Sequence, residues 1–240
     1  MVGGWIPRPS RHGEFMPKNA PNRVARLFPA LLLLGLIPFP SWAADREVRL
    51  ASILREINRT QHEIRDVTAE VTQIRTGPLM TTPLVSKGTM YFKRPGRIRL
   101  DMLPPNPSVT VLSEGVLWIY FPDDKVAQRY HVQDNPNLTK WLLVFQDPIA
   151  TLGQRVTLGR ETGTTATLIL DPAEDLVIFQ NITLSFDTSR WMLQSLELQE
   201  KNGDHTIINY QYTSINGGIP DSRFALRLPP DVDVIDPLKK

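Results

Sequence analysis

Residues 88–120 alternate so regularly between short apolar–polar runs and turn formers that little except a β-meander can be built from them. Four strands are predicted, at 88–93, 97–103, 108–112 and 116–121. They are divided by Pro95-Gly96, by Pro104-Pro105-Asn106-Pro107 and by Ser113-Glu114-Gly115. Proline presets φ and glycine accepts positive φ, so tight reversals cost little at these points. Within Arg97–Met102, Ile98, Leu100 and Met102 share one face while Arg97, Arg99 and Asp101 share the other. A sheet with one apolar and one wet face is antiparallel in character.

The same grammar extends in both directions. An upstream strand at 66–76 sets Val67, Ala69, Val71 and Gln73 on one side, and Gly77-Pro78 and Thr82-Pro83 break the run before a strand at 84–93. Downstream, strands are predicted at 125–132, 155–160, 164–171, 176–187, 191–200 and 206–214, with turns such as Asp187-Thr188-Ser189 and Lys201-Asn202-Gly203-Asp204 between them. Many strands with short turns and no interleaved helices argue against a parallel α/β fold. No linker or compositional shift divides the run, so one domain is expected over residues 44–240.

Residues 1–43 are set apart. Arg23 and Arg26 precede the apolar run 27–37, and Ser41-Trp42-Ala43 supplies an A-x-A-like cleavage site. This is the pattern of a secretory signal peptide, with an apolar run well short of the ~20 residues a spanning helix needs. Met16 reads as an alternative start, making residues 1–15 an upstream extension. The leader through Ala44 holds five of the 27 basic residues and one of the 25 acidic ones, so the remainder carries 22 against 24, a net of −2. The basic balance therefore belongs to the leader and is no argument for nucleic acid. Cysteine is absent, which excludes disulfides, thiolate catalysis and Cys-ligated metal sites. It also leaves no residue for lipidation after the apolar run, and a free, soluble periplasmic product is expected.

Two helical regions frame the sheet. At 45–63, Val48, Ile53, Leu54, Ile57 and the following Ile64, with Leu50 and Ala51, approximate an amphipathic stripe; a helix of this kind before a sheet usually covers it. Residues 134–153 break the β pattern with an apolar block, Trp141, Leu142, Leu143, Val144 and Phe145, divided from 149–152 by Gln146-Asp147-Pro148. Two short helices are predicted there, either packed into a core or lying as a lid over an apolar groove.

Catalytic signatures are wanting. His12, His62, His131 and His205 are scattered without metal-ligand spacing, and there is no nucleophile elbow, phosphate-cradling loop or paired acidic motif. No catalytic residue, metal or cofactor is predicted, and the protein is expected not to be an enzyme. Arg94 is the polar residue that stands out. It follows Met90 and Phe92 at period two, before Pro95 ends the strand, so its guanidinium sits at the rim of an apolar surface. There its fork of N–H donors suits buried helix-end carbonyls. Its neighbour Lys93 reads as a solvated strand-end charge.

The run Gly88-x-Met90-x-Phe92-Lys93-Arg94-Pro95-Gly96, then Asp101, then Val111-x-Ser113-x-Gly115-x-Leu117-Trp118-Ile119-Tyr120 resembles the periplasmic carriers that ferry lipoproteins to the bacterial outer membrane, the LolA-type family. Ala69-x-Val71-x-Gln73 and a terminal segment with Phe224, Pro229, Pro230, Asp233 and Asp236 extend the likeness over most of residues 45–237, although the family commonly has an aromatic where Val71 stands. The resemblance implies an unclosed, strongly curved antiparallel half-barrel, α+β but mainly β, with helices over a concave apolar face. It implies that Arg94 latches a helical lid through hydrogen bonds to its backbone, and it favours the lid reading for residues 141–145. Met90, Phe92, Ile98, Leu100 and Met102 become the expected groove. The implied cargo is an acylated lipoprotein or lipid, taken as a monomer from an inner-membrane releasing complex to an outer-membrane acceptor. A carrier of another amphiphile, or an envelope sensor of lipidated proteins, is the alternative on the same fold.

Overall fold

The computed structural model describes residues 42–134, 156–172 and 178–237. Among them one helix, α1 (Trp42–Glu63), precedes twelve strands: β1 (Asp66–Thr76), β2 (Leu84–Lys93), β3 (Arg97–Met102), β4 (Ser108–Ser113), β5 (Val116–Phe121), β6 (Val126–His131), β7 (Val156–Glu161), β8 (Thr165–Leu170), β9 (Phe179–Asp187), β10 (Leu193–Glu200), β11 (His205–Ile215) and β12 (Asp233–Ile235). The expected lid residues Trp141, Leu142, Leu143, Val144 and Phe145 lie outside the described residues.

The strands form a single open sheet in the order β12-β6-β5-β4-β3-β2-β1-β11-β10-β9-β8-β7. β1 stands in the middle, with the first meander on one side of it and the second on the other. Turn chemistry sets the meander as the sequence indicates. Between β4 and β5, Glu114 and Gly115 both take positive φ (52° and 75°), the two-residue reversal whose twist matches that of the flanking strands. β10 begins at Leu193 rather than 191 because Trp191 has φ 54° and donates its N–H to Asp187 O at 2.7 Å, which makes it part of the turn.

Register builds the core. Val67, Phe92, Ile98, Leu112 and Leu117 lie opposite one another across β1 to β5. On the other wing Ile208, Leu196, Leu184, Leu168 and Leu158 make the corresponding row. Buried residues of both rows join Ile53 and Ile57 of α1 in one core cluster, so the two wings curl towards each other around the helix. Ile53 and Ile57 are fully buried, each worth roughly 1.5–3 kcal/mol, and this packing rather than intrinsic propensity holds α1 in place.

Sequence reading placed the C-terminal segment within the family likeness but predicted no strand in it. After Ile215 the chain crosses the outer face of β3 to β5, from the end where β11 finishes to the opposite end. It therefore returns running in the direction of β6, and β12 pairs with β6 in parallel. This is the one departure from the expected antiparallel sheet. β12 has only three residues, too few to show a period. Phe224, 3 % exposed, is sealed beneath the crossing, in a cleft shared with Val111, Trp118 and Leu226. Charges fasten it: Lys93 and Arg97 both bind Asp221, Lys125 binds Asp231, and Arg129 binds Asp236. Arg99 donates to the carbonyls of Arg223 and Ala225 at 3.3 Å each. Lys93 is thus not a solvated charge, because it also donates to Ile219 O at 2.7 Å.

The hydrogen bonds from Arg97 and then Lys93 hold the Asp221 carboxyl at about 2, below its ordinary 3.8. A depressed acid contributes stability that is present above its unfolded pKa and is lost as pH falls through the folded one. The Asp221→Asn variant should therefore have a lower urea midpoint than the wild type by a constant amount at neutral pH. That gap should shrink below about 4 and close near 2. A pH-independent gap would show that the ion pairs are not its source.

Candidate functional site

The sheet's inner face and the end of α1 enclose a small cavity lined by Gln61, Ile64, Val67, Met90, Phe92, Ile98, Met192, Leu193, Tyr210 and Tyr212. Of the expected groove residues, Met90, Phe92 and Ile98 line it. Leu100 and Met102 share the face, opposite Met90 and Gly88, but lie farther along the strands and outside the lining. The others were missed for a simple reason: they come from the helix end and the far wing, which no local pattern brings together. The period-two placement of Tyr210 and Tyr212 on β11 was their one signal. Burial pushes both phenols up from their ordinary range, so they stay neutral, and Tyr212 donates to Leu193 O at 2.8 Å.

The cavity measures about 50 Å³. That is space for a few water molecules, not for an acyl chain. Beside it, Ile53 and Ile57 of α1 are buried in the core cluster against the inner face.

Both ends of α1 are held by arginines. At its C-terminal end, Arg94 Nε donates to Ile64 O and Arg94 Nη2 to Gln61 O, both at 2.9 Å. The backbone N–H of Arg94 reaches Arg65 O at 2.8 Å, and the guanidinium lies 5.9 Å from the centre of the Phe92 ring. The last carbonyls of a helix have no partner within it and carry the negative end of its dipole, so a cation placed there is doubly favourable. The joint beyond is equally satisfied. Asn216 accepts from Arg65 N and donates to Glu63 O, while the buried carboxylate of Asp66 accepts from Gly218 N.

The other end rests on β7, the last strand of the sheet. Arg46 donates to Leu158 O, and Arg49 grips Glu161, its Nε 3.0 Å from each carboxylate oxygen. The hydrogen bond from Arg49 holds Glu161 below the usual carboxylate range and raises the guanidinium in turn. This second attachment had no sequence signal, because the partners are more than 100 residues apart.

A curved, unclosed β-sheet with an apolar inner face and a helix clasped over it defines a class of apolar-ligand-binding half-barrels. A solved structure of the same fold is an uncharacterized conserved protein from Thermus thermophilus, with TM-score 0.51 and 13 % identity, covering 78 % of this chain and 99 % of that one. The sequence carries the assignment further. Residues 62–227 match the family model described as outer membrane lipoprotein carrier protein LolA, and the chain belongs to that family. It is similar to the outer-membrane lipoprotein carrier protein of Azotobacter vinelandii, 25 % identical over 88 % of this chain and 99 % of the relative. It is also similar to that of Pseudomonas putida, 24 % identical over 88 % and 98 %.

The two attachments of α1 are separable. In the Glu161→Gln variant, amide hydrogen exchange in the first half of α1 should accelerate by up to about fivefold, the scale of a partly exposed ion pair. The last turn, held by Arg94, should be unchanged. The same acceleration should appear in the wild type only at acidic pH, below the lowered pKa of Glu161, because a depressed carboxylate loses its contribution there. Uniform acceleration along the helix would contradict two independent holds.

Proposed function

We propose that this protein is a periplasmic carrier which shelters the acyl chains of lipoproteins on the inner face of its sheet and passes them towards the outer membrane. Membership of the carrier family supports the lipoprotein role. The single observation that supports the mechanism is a cavity of about 50 Å³, too small for an acyl chain, beneath a helix whose last carbonyls Arg94 holds. Loading then requires α1 to yield, and the gain comes from removing acyl area from water, roughly 25 cal/mol per Å². Release comes from the reverse exchange, in which α1 and the arginine regain their contacts as the chains leave. Such a cycle is governed by the difference between two states rather than by either affinity alone. It needs neither a cofactor nor chemistry by this chain, and we assign it no catalytic role.

In this reading Arg94 is the latch, Met90, Phe92, Ile98, Leu100 and Met102 meet the chains, and residues 141–145 supply further cover. The protein works as a monomer between an inner-membrane releasing complex and an outer-membrane acceptor. Its cargo is a lipoprotein rather than a free lipid, which the mass of co-purified material would check.

The latch has a sign. Hydrogen bonds to a charged donor are worth ~1.5–3 kcal/mol each, so losing two from the closed state shifts the balance by an order of magnitude or more. Arg94→Leu should bind a fluorescent apolar probe at least as tightly as the wild type, yet deliver cargo to acceptor membranes about tenfold less well. Weakened loading with normal delivery per bound cargo would instead make Arg94 a headgroup-binding residue and would end the latch reading.

A further inference from the structure

At the end of the sheet opposite Arg94, three turns form one rim. The β1–β2 turn is tied to the β10–β11 turn by Arg75 and Asp204, 2.7 Å apart, and the β3–β4 turn is tied to β2 by Leu103 N donating to Lys87 O at 2.8 Å. This rim is unusually apolar. Leu79 is 99 % exposed, Leu103 55 %, and Met80, Leu84 and Val85 are exposed beside them. Residues 77–86, Gly-Pro-Leu-Met-Thr-Thr-Pro-Leu-Val-Ser, contain no ionisable side chain. A hairpin tip in water is ordinarily polar, so five large apolar side chains gathered there need a partner.

Three further features say what kind. Cations stand just behind the tip: Arg75, Lys87 and Lys201, against Glu200 and the Asp204 already bound to Arg75. Neither Lys87 nor Lys201 takes part in an ion pair among the described residues. The acidic Asp123-Asp124 turn lies on the far side of the same end, between β5 and β6, so approach is favoured with the β1–β2 tip foremost. Finally, Leu84 shares the strand parity of Phe92 and Met90, and Met102 that of Ile98 and Leu100, so the rim carries apolar residues on the inner-face side as well.

We infer that this rim docks on the surface of an anionic phospholipid bilayer. Leu79 and Met80 enter the headgroup–acyl boundary, while Lys87 and Lys201 face lipid phosphates. A tip without charge enters a fluid interface without the cost of desolvating an ion, and its backbone can stay hydrated at headgroup level, whereas a rigid protein partner would need a socket shaped to it. The basic flank adds the electrostatic attraction that anionic lipids offer. The inference does not rest on what the cavity holds.

Flotation of the purified protein with vesicles of phosphatidylethanolamine and phosphatidylglycerol tests it. The wild type should float, less so as salt is raised, and Leu79→Glu should lower the vesicle-bound fraction at least about tenfold. Val48→Glu, at an apolar residue 69 % exposed on α1, should leave binding unchanged. In Leu79→Trp the indole emission should shift to the blue on vesicles and be quenched by brominated acyl chains. Failure of the wild type to float, equal binding by Leu79→Glu, or an indole that stays in water on bound protein would each overturn the inference. So would capture of Leu79 by a protein partner in place of lipid. Apolar-probe loading, which should be the same in Leu79→Glu as in the wild type, reports on the carrier reading separately.

Discussion

A helix laid against the concave side of a β-sheet must satisfy its last carbonyls, and the carbonyls of Gln61 and Ile64 at the end of α1 find them satisfied by Arg94. Much of the architecture follows from where that arginine has to stand. It needs a strand end at the rim of the apolar face, which the Pro95-Gly96 turn supplies. It needs the helix to finish just before β1, which Asn216 arranges by binding Glu63 O and Arg65 N, while Asp66 ties the start of β1 to Gly218 N. It also needs β1 and β2 to be neighbours, as they are at the centre of the sheet. Over Phe92, the carbonyls take the place of the water the guanidinium gives up.

The two faces of the sheet are held by different physics. The inner face is hydrophobic, non-directional and able to exchange one apolar occupant for another at little net cost, which is what a carrier requires. The outer face is fixed by directional contacts: Asp221, Asp231 and Asp236 each meet a cation presented by a strand, and Phe224 is sealed under the crossing segment. In the proposed cycle, this fastening of the outer face would let α1 yield on the inside while the sheet keeps its curvature. Arg129 over the Trp118 ring, at 5.5 Å, and Arg223 over Tyr91, at 4.8 Å, add to the same outer fastening.

The central meander was legible because its turns are chemical and its alternation strict; β3, β4 and β5 fall within a residue of their expected ends. The helical stripe of α1 was legible at Ile53 and Ile57, which are buried, and at Leu50 and Leu54, which pack against them, but Val48 and Ala51 are exposed. The Arg94 position was reachable from parity and from the proline that follows it. What could not be read was everything that depends on distant pairs: the hold of Arg49 on Glu161, the use of Lys93 as a fastening for the C-terminal crossing, and the parallel entry of β12. The far wall of the cavity, Met192, Leu193, Tyr210 and Tyr212, belongs to the same class, because the closing of β1 on β11 brings it in.

The account turns on which face of the sheet receives the acyl chains, and adjacent residues of β3 answer that directly. A photo-crosslinking residue at Ile98, on the inner face, should capture the acyl chains of a bound lipoprotein, while the same residue at Arg99, on the outer face, should not. Capture from position 99 but not from 98, or from neither with cargo demonstrably bound, would contradict the account.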